Sequence, residues 1–175
     1  AAWRNGHYYF YLSVGGSSIA VVVSDSPHGP WADPLGKPLL DDSIGKKLNP
    51  PTTFRDPAIF EDVDGSWYLI AGVFEYYITK LGDDMISLAS TPRHVEVRGA
   101  YGACGAGKTD DKPFLHYRAG VYYLSWGCFY GVSSSLFGPY DMAGSVVHTA
   151  NISADFRIGG PAEPWYMAED YTDRH

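Results

Sequence analysis

Short runs of alternating hydrophobic and polar residues fill the chain, and one such run occurs three times. The copies lie at residues 5–13, 64–71 and 119–126, and their turn glycines are Gly6, Gly65 and Gly120. Asn-Gly or Asp-Gly between apolar runs is typical of a tight β-hairpin, because the central turn positions adopt positive φ. Aromatic and β-branched residues follow each turn, as in strands. The pattern therefore predicts three strand-rich units, each containing a hairpin.

Further strand-like runs follow each hairpin, at residues 17–25, 76–81 and 131–135. A Gly-Pro-aromatic turn then recurs as Gly29-Pro30-Trp31 and Gly138-Pro139-Tyr140. Only residues 81–90 show weak helical spacing, without a helix start. Repeated units of about four short strands are typical of β-propeller blades. The sequence thus predicts an all-β propeller; a β-sandwich with accidental similarity is the alternative, which three matching copies disfavour.

The predicted blades cover residues 1–50, 51–103 and 104–158, and residues 159–175 would begin another. An open arc of blades leaves apolar faces uncovered, which a closed propeller does not. The sequence lacks an initiator Met and an N-terminal signal sequence, and neither end has the character of a tail. We therefore expect a single partial propeller domain over residues 1–175, with one or more blades missing.

Composition and charge limit the functions that the protein could have. Aromatic residues make up 15% of the chain, and 20 Gly and 12 Pro supply frequent turns. The formal net charge is −7 without any basic run, which argues against nucleic acid as the partner. No apolar stretch is long enough to span a membrane. Cys104 and Cys128 are isolated, and either two buried thiols or one disulfide would fit them.

Two carboxylates have the same spacing to a turn glycine. Asp56 precedes Gly65 by nine residues, and Asp111 precedes Gly120 by nine residues. If the strand before each hairpin is the innermost of its blade, both side chains point into the central funnel. Such a pair is what glycoside hydrolysis needs, as an acid and a base. The alternatives are that Asp56 is a turn element before a proline and that Asp111 belongs to a solvated loop pair with Asp110.

Three groups of motifs carry a resemblance to a known family. The first is Asn-Gly-x-Tyr-Tyr-x-Tyr at 5–11 with Ser-Asp-Ser-Pro-x-Gly-Pro-Trp at 24–31. The second is Asp-Pro-Ala-Ile-Phe at 56–60, and the third is Pro-Phe-Leu at 113–115 with Tyr-Tyr-Leu-Ser at 122–125. Together these motifs resemble blades two to four of the family 43 glycoside hydrolases, which are five-bladed β-propellers of the β-xylosidase and α-L-arabinofuranosidase type.

The resemblance implies catalytic roles for particular residues. Asp56 corresponds to the family's third-blade Asp, which orients the general acid and tunes its pKa. Asp111 lies two residues before the fourth-blade Pro, where the family usually has its Glu general acid, and it is one methylene shorter. Glu169 is a second candidate for the acid. The family's general base is a first-blade Asp, and this sequence has no counterpart of that blade.

The resemblance also implies ligand contacts. His175 lies where the family's fifth-blade His would fall; that His lines the propeller axis and often binds a metal through water. The resemblance therefore allows a Ca²⁺ on the axis, and the chemistry requires no cofactor. Aromatic residues near the funnel mouth would stack on sugar rings or pack between blades; these are Trp126, Phe129, Tyr130 and Trp165.

The function that follows is inverting hydrolysis of xylosidic or arabinofuranosidic bonds in plant cell-wall polysaccharides or oligosaccharides. A catalytically inactive glycan-binding propeller is the alternative, because Asp111 replaces Glu. A propeller that only binds proteins is a third hypothesis, which fold alone permits. We expect a carbohydrate partner, a secreted or periplasmic full-length protein, and no catalysis by these 175 residues alone; the sequence does not determine the oligomeric state.

Overall fold

The computed structural model describes residues 1–102 and 105–145, and these residues form three main sheets, whose strand pairs are antiparallel except for one parallel pair in the third sheet. The first sheet has the order β1-β2-β3, the second β4-β5-β6-β7, and the third β11-β12-β13-β14-β8. A small sheet pairs β9 with β10. The strands are β1 (Ala2–Arg4), β2 (His7–Val14), β3 (Ser18–Ser24), β4 (Ala58–Glu61), β5 (Trp67–Ala71), β6 (Tyr76–Lys80), β7 (Arg93–Val95), β8 (Val97–Arg98), β9 (Tyr101–Gly102), β10 (Gly105–Ala106), β11 (Phe114–Arg118), β12 (Val121–Trp126), β13 (Phe129–Ser133) and β14 (Tyr140–Ser145).

The described part of the chain contains one short helix, α1 (Asp42–Gly45). It begins where the Asp41 carboxylate accepts hydrogen bonds from the backbone N–H groups of Ser43 and Ile44, which is N-capping. Residues 81–90, the stretch with weak helical spacing, form turns and a β-bridge between Leu81 and Leu88. No helix in residues 1–102 or 105–145 is long and apolar enough to cross a membrane.

The three predicted hairpins are present. Asn5-Gly6 and Ala119-Gly120 each form a two-residue turn with positive φ at both positions. The second hairpin is longer, because its last strand pair is Glu61 with Trp67. Here Asp62 N–H donates to Ser66 O and Gly65 N–H donates to Asp62 O. Because of the longer loop, residues at equal spacing from Gly65 and Gly120 need not be structurally equivalent in the second and third units. This affects the comparison of Asp56 with Asp111.

The second sheet is buried on both faces because its side chains alternate between two cores. Tyr68, Ile70, Tyr76 and Ile78 pack in one cluster with residues of the third sheet. Leu69, Ala71 and Tyr77 pack in the other cluster with residues of the first sheet. The period of two along β5 and β6 thus supplies both interfaces. The three sheets lie face to face in chain order, as successive propeller blades do.

Candidate active site

Two residues that precede prolines have similar positive φ angles just before two neighbouring strands. Asp56, before Pro57, has φ 51°, and Lys112, before Pro113, has φ 56°. Each lies two residues before its strand, β4 or β11. The equal nine-residue spacing therefore does not place Asp56 and Asp111 at one structural position, and that expectation was wrong. The longer second turn accounts for the difference: Lys112 is the equivalent of Asp56.

Asp56 and Asp111 nevertheless lie at the same end of neighbouring strands. β4 and β11 are in contact, and a cleft of about 390 Å³ is lined by residues 59–63, from β4 and the loop after it, and by residues 114–117 of β11. Both acidic segments enter their strands at one end of this pair. The charges of Asp56, Asp110 and Asp111 all act on the Lys112 ammonium, so the structure brings these carboxylates into one electrostatic neighbourhood.

The turn of the first sheet holds the backbone around Asp56. Asp56 N–H donates a 2.9 Å hydrogen bond to Ser13 Oγ near the end of β2. Arg55 Nε donates to Gly16 O in the β2–β3 turn. Within the second sheet, Gly72 N–H donates to Arg55 O at 3.1 Å. The positive φ of Asp56 is thus maintained by neighbours on both sides, as a strained conformation requires.

The Asp111 carboxylate accepts hydrogen bonds from Lys112 Nζ at 3.1 and 3.2 Å. Its side chain keeps 36% of its surface exposed, so a substrate can reach it. Burial acts to lower the pKa of Lys112, but the hydrogen bond to Asp111 and the charges of Asp111, Asp56 and Asp110 outweigh it and raise the pKa. The lysine is therefore a cation that offsets part of the acidic cluster.

The segment before Asp111 is bonded to the β5–β6 turn of the second sheet. Tyr76 Oη donates to Asp110 O at 2.7 Å and accepts from Asp110 N–H at 3.2 Å. Phe74 N–H also donates to Asp110 O at 3.2 Å, and Thr109 Oγ1 donates to Phe74 O. The segments that lead to Asp56 and Asp111 are therefore both hydrogen-bonded to a turn of the preceding sheet.

Three of the predicted stacking residues lie at the Asp111 end of the third sheet, because Phe114 pairs with Ser125 there. Trp126 is 0% exposed and Phe129 is 2% exposed, and both belong to the core between the second and third sheets. Trp126 Nε1 donates to Tyr101 O at 2.7 Å. Burial favours the packing interpretation for these two residues. Tyr130 is half-buried, and Trp165 lies outside the described residues, so stacking by these two stays a prediction.

Sequence reasoning missed Phe74 at the rim of the site. Its ring is 37% exposed, and its φ is 64°, an outlier for a bulky residue. The β5–β6 turn that carries it lies at the Asp56 end of the second sheet, as the pairing of Ala58 with Ile70 requires. Lys108 Nζ lies 5.7 Å from the centroid of the ring. Only the interruption at residues 72–75, between two strand-like runs, could have pointed to it.

A metal site is not apparent in the part of the chain that the structure covers. Among residues 1–102 and 105–145, no group of three or more His, Cys, Asp or Glu side chains could hold a metal ion. His175 and Glu169 lie outside the described residues, as does Cys104. Cys128 is buried, and its burial raises the pKa of the thiol.

Comparison with known proteins shows that the chain matches a protein family. The model of the family described as glycosyl hydrolases family 43 matches residues 2–166. An arabinoxylan arabinofuranohydrolase from Bacillus subtilis strain 168 is 33% identical over 131 residues, which are 71% of this chain and 25% of that protein.

Solved structures are similar over most of the described sheets. An α-L-arabinofuranosidase from Clostridium thermocellum aligns with a TM-score of 0.70 and 29% identity, covering 83% of this chain and 50% of that one. A family 43 arabinoxylan arabinofuranohydrolase from Bacillus subtilis, in complex with cellotetraose, aligns with a TM-score of 0.64 and 28% identity over 81% of this chain and 34% of that one. The expectation of a partial β-propeller is confirmed. The chain spans a quarter to a half of these relatives.

Proposed function

The chain belongs to glycosyl hydrolases family 43, and from this membership we propose that its full-length protein hydrolyses glycosidic bonds of plant cell-wall polysaccharides with inversion at the anomeric carbon. The bonds are xylosidic or arabinofuranosidic, and the names of the relatives favour an arabinofuranose side chain on xylan. The observation that carries the proposal is the solvent-accessible Asp111 carboxylate just before β11, whose charge acts on Lys112 together with that of the strained Asp56 just before β4.

Asp111 is the general acid in this proposal. Its protonated carboxyl donates to the glycosidic oxygen while the bond from that oxygen to the anomeric carbon breaks. Lys112 Nζ, which contacts both Asp111 oxygens in the free protein, has to turn away so that one oxygen can reach the substrate. Asp56 orients the reacting groups from the neighbouring strand.

The general base completes the reaction on the opposite face of the sugar ring. It removes a proton from water, whose oxygen bonds to the anomeric carbon as the leaving group departs. We assign this base to a residue outside these 175 residues, as the family resemblance implies. The proton balance closes, because the acid gives one proton to the leaving group and the base receives one from water. No cofactor takes part in these steps.

Phe74 is the residue that we assign to substrate binding at the rim. Its exposed ring presents an apolar face of the kind that packs against sugar C–H groups. Tyr130 and Trp165 stay predictions for the same role. A Ca²⁺ held on the axis through His175 also stays a prediction, and the effect of a chelator on the full-length protein tests it. We place the protein outside the cytoplasm because its substrate is a polymer, and cell fractionation tests this location.

One observation favours a second candidate function, a glycan-binding propeller without catalysis. Asp111 is one methylene shorter than the usual Glu, which moves the acid away from the glycosidic oxygen. Two measurements on the full-length protein separate the functions. Release of arabinose or xylose from arabinoxylan, with the inverted anomer seen first by NMR, supports the enzyme. Arabinoxylan binding without release, and equal binding by the Asp56→Asn, Asp111→Asn double variant, supports the binding module.

A further inference from the structure

The side chain of Tyr76 is hydrogen-bonded to the backbone of Asp110, the residue before the candidate acid. Tyr76 begins β6 and is 1% exposed, within the core between the second and third sheets. Its hydroxyl donates to Asp110 O and accepts from Asp110 N–H. One rigid, buried side chain therefore engages both backbone groups of Asp110, and the carbonyl that it holds belongs to the peptide bond leading to Asp111.

The neighbouring contacts leave this segment little freedom. Thr109 is 3% exposed, and its hydroxyl donates to Phe74 O. A Cβ added at Gly102 would meet Thr109 O at 2.6 Å, so β9 packs directly against the segment. Asp110 Oδ1 accepts from Asp111 N–H at 2.9 Å. The buried anchors lie before Asp111, and on its other side the chain continues through the exposed Lys112.

A catalytic group on a loop needs such anchoring. Loops move more than the sheets that they connect, and a displacement of about 1 Å of a reacting group costs about 10²-fold in rate. Tyr76 belongs to the second sheet, whereas Asp111 leads into the third. The hydroxyl thus couples the position of the acid to the interface between two blades. Burial, the largest cause, raises the pKa of Tyr76, so the hydroxyl keeps its proton and its role as a donor.

We propose that Tyr76 is a positioning residue for Asp111, acting through its two hydrogen bonds to the Asp110 backbone. The proposal rests on the proposed function, in which Asp111 is the general acid. Removal of the Tyr76 hydroxyl loosens residues 108–112 and displaces the Asp111 carboxyl from the glycosidic oxygen. Substrate binding is unaffected, because Tyr76 is buried and does not reach the substrate.

The chain offers a matched control in Tyr140. This residue is 0% exposed, lies in the same core, and donates its hydroxyl to Leu136 O at 2.7 Å. Tyr76→Phe and Tyr140→Phe therefore each remove one buried tyrosine hydroxyl bonded to a backbone carbonyl. Only the first removes a contact to the segment that leads to Asp111.

The test uses both variants in the full-length protein, with amide hydrogen exchange and steady-state kinetics. In Tyr76→Phe we expect faster exchange in the peptide covering residues 108–112, and in Tyr140→Phe we expect wild-type exchange there. On arabinoxylan, whose leaving group needs protonation, kcat of Tyr76→Phe falls at least tenfold with unchanged KM, and by no more than the ~10²–10⁴-fold that a general acid contributes in full. On a dinitrophenyl arabinofuranoside, whose leaving group needs no proton, kcat falls less than about twofold.

Three results overturn the proposal: unchanged exchange in residues 108–112, an equal loss of kcat on both substrates, or the same kinetics in Tyr76→Phe and Tyr140→Phe. The Asp111→Asn variant distinguishes a wrong role for Tyr76 from a wrong proposed function. If Asp111→Asn loses hydrolysis while Tyr76→Phe keeps wild-type kinetics and exchange, only the positioning role of Tyr76 is overturned. Wild-type hydrolysis of arabinoxylan by Asp111→Asn overturns the acid assignment and the positioning role with it.

Discussion

Asp56 and Lys112 are structural equivalents in two neighbouring blades, each in a left-handed conformation directly before a proline. Their φ angles are 51° and 56°. Positive φ is uncommon for residues with a Cβ, and a following proline favours extended backbone instead. Such strain persists only where the surroundings hold it, and it concentrates at functional sites. The chain uses one copy of this position for a carboxylate and the next for an ammonium.

The strain at Asp56 predicts that two substitutions there differ in stability and lose activity equally. Asp56→Gly should have a free energy of unfolding about 1 kcal/mol higher than Asp56→Ala, because glycine adopts positive φ without a Cβ clash. Both variants should lose hydrolysis by about 10²-fold, because the acid is no longer oriented. Urea unfolding and arabinoxylan hydrolysis check the pair. Equal stability of the two variants would show that the backbone at Asp56 is not strained.

Phe74→Ala should raise KM several-fold with little change in kcat, because the ring contributes binding surface and does not touch the reacting atoms. The backbone hydrogen bonds of residue 74 to Asp110 and Thr109 remain. A fall in kcat with unchanged KM would contradict a binding role for Phe74.

Tyr122 links the second hairpin to the third sheet and should make stability depend on alkaline pH. Its hydroxyl donates to the Asp62 carboxylate at 2.9 Å. Burial, and then the hydrogen bond and charge of Asp62, raise the pKa of Tyr122 from 10.0 to about 12. Between these values the unfolded chain has lost a proton that the folded chain retains, so the stabilisation is complete below pH 10 and is lost as pH rises towards 12.

Tyr122→Phe removes this titration, while other tyrosines with raised pKa values on which Tyr122 has no influence, such as Tyr11 and Tyr76, titrate in the same way in both proteins. The difference in unfolding free energy between wild type and variant should therefore be largest at about pH 9 and shrink at about pH 11. Urea unfolding at the two pH values measures it. A difference that stays constant would exclude the Tyr122–Asp62 bond as its source.

Asp111→Glu should restore the usual reach of the family's acid. If the carboxyl of Asp111 is held too far from the glycosidic oxygen, the added methylene should raise kcat on arabinoxylan several-fold, because acid catalysis depends steeply on distance. The rate on a dinitrophenyl arabinofuranoside should not change. A lower kcat on arabinoxylan would mean that this site is built around the shorter acid.

Local turn chemistry made much of the fold predictable. Asn5-Gly6 and Ala119-Gly120 specify tight hairpins through their positive φ, and the alternation along residues 67–71 places both cores of the second sheet. The pairing register of the second hairpin was not predictable, because its turn contains a glycine whether the loop is short or long. The equal spacing of Asp56 and Asp111 to their glycines therefore concealed that Lys112 is the true equivalent of Asp56.

Long-range contacts account for what the sequence could not reveal at the site. Trp126 and Phe74 are both aromatic residues near strand ends, and only the packed sheets distinguish the buried ring from the exposed one. The hydrogen bonds between Tyr76 and Asp110 join residues that are 34 positions apart and lie in different blades. No local pattern encodes such a contact, because it depends on how two sheets meet.

The role of Asp111 as general acid is measured by the rate of arabinoxylan hydrolysis by the full-length protein, compared between wild type and Asp111→Asn. Asp83→Asn is the control, because Asp83 is a fully exposed carboxylate in another loop. We expect Asp111→Asn to lower kcat by about 10²–10⁴-fold, the contribution of a general acid, and Asp83→Asn to leave kcat unchanged. Hydrolysis at the wild-type rate by Asp111→Asn would show that Asp111 is not the general acid.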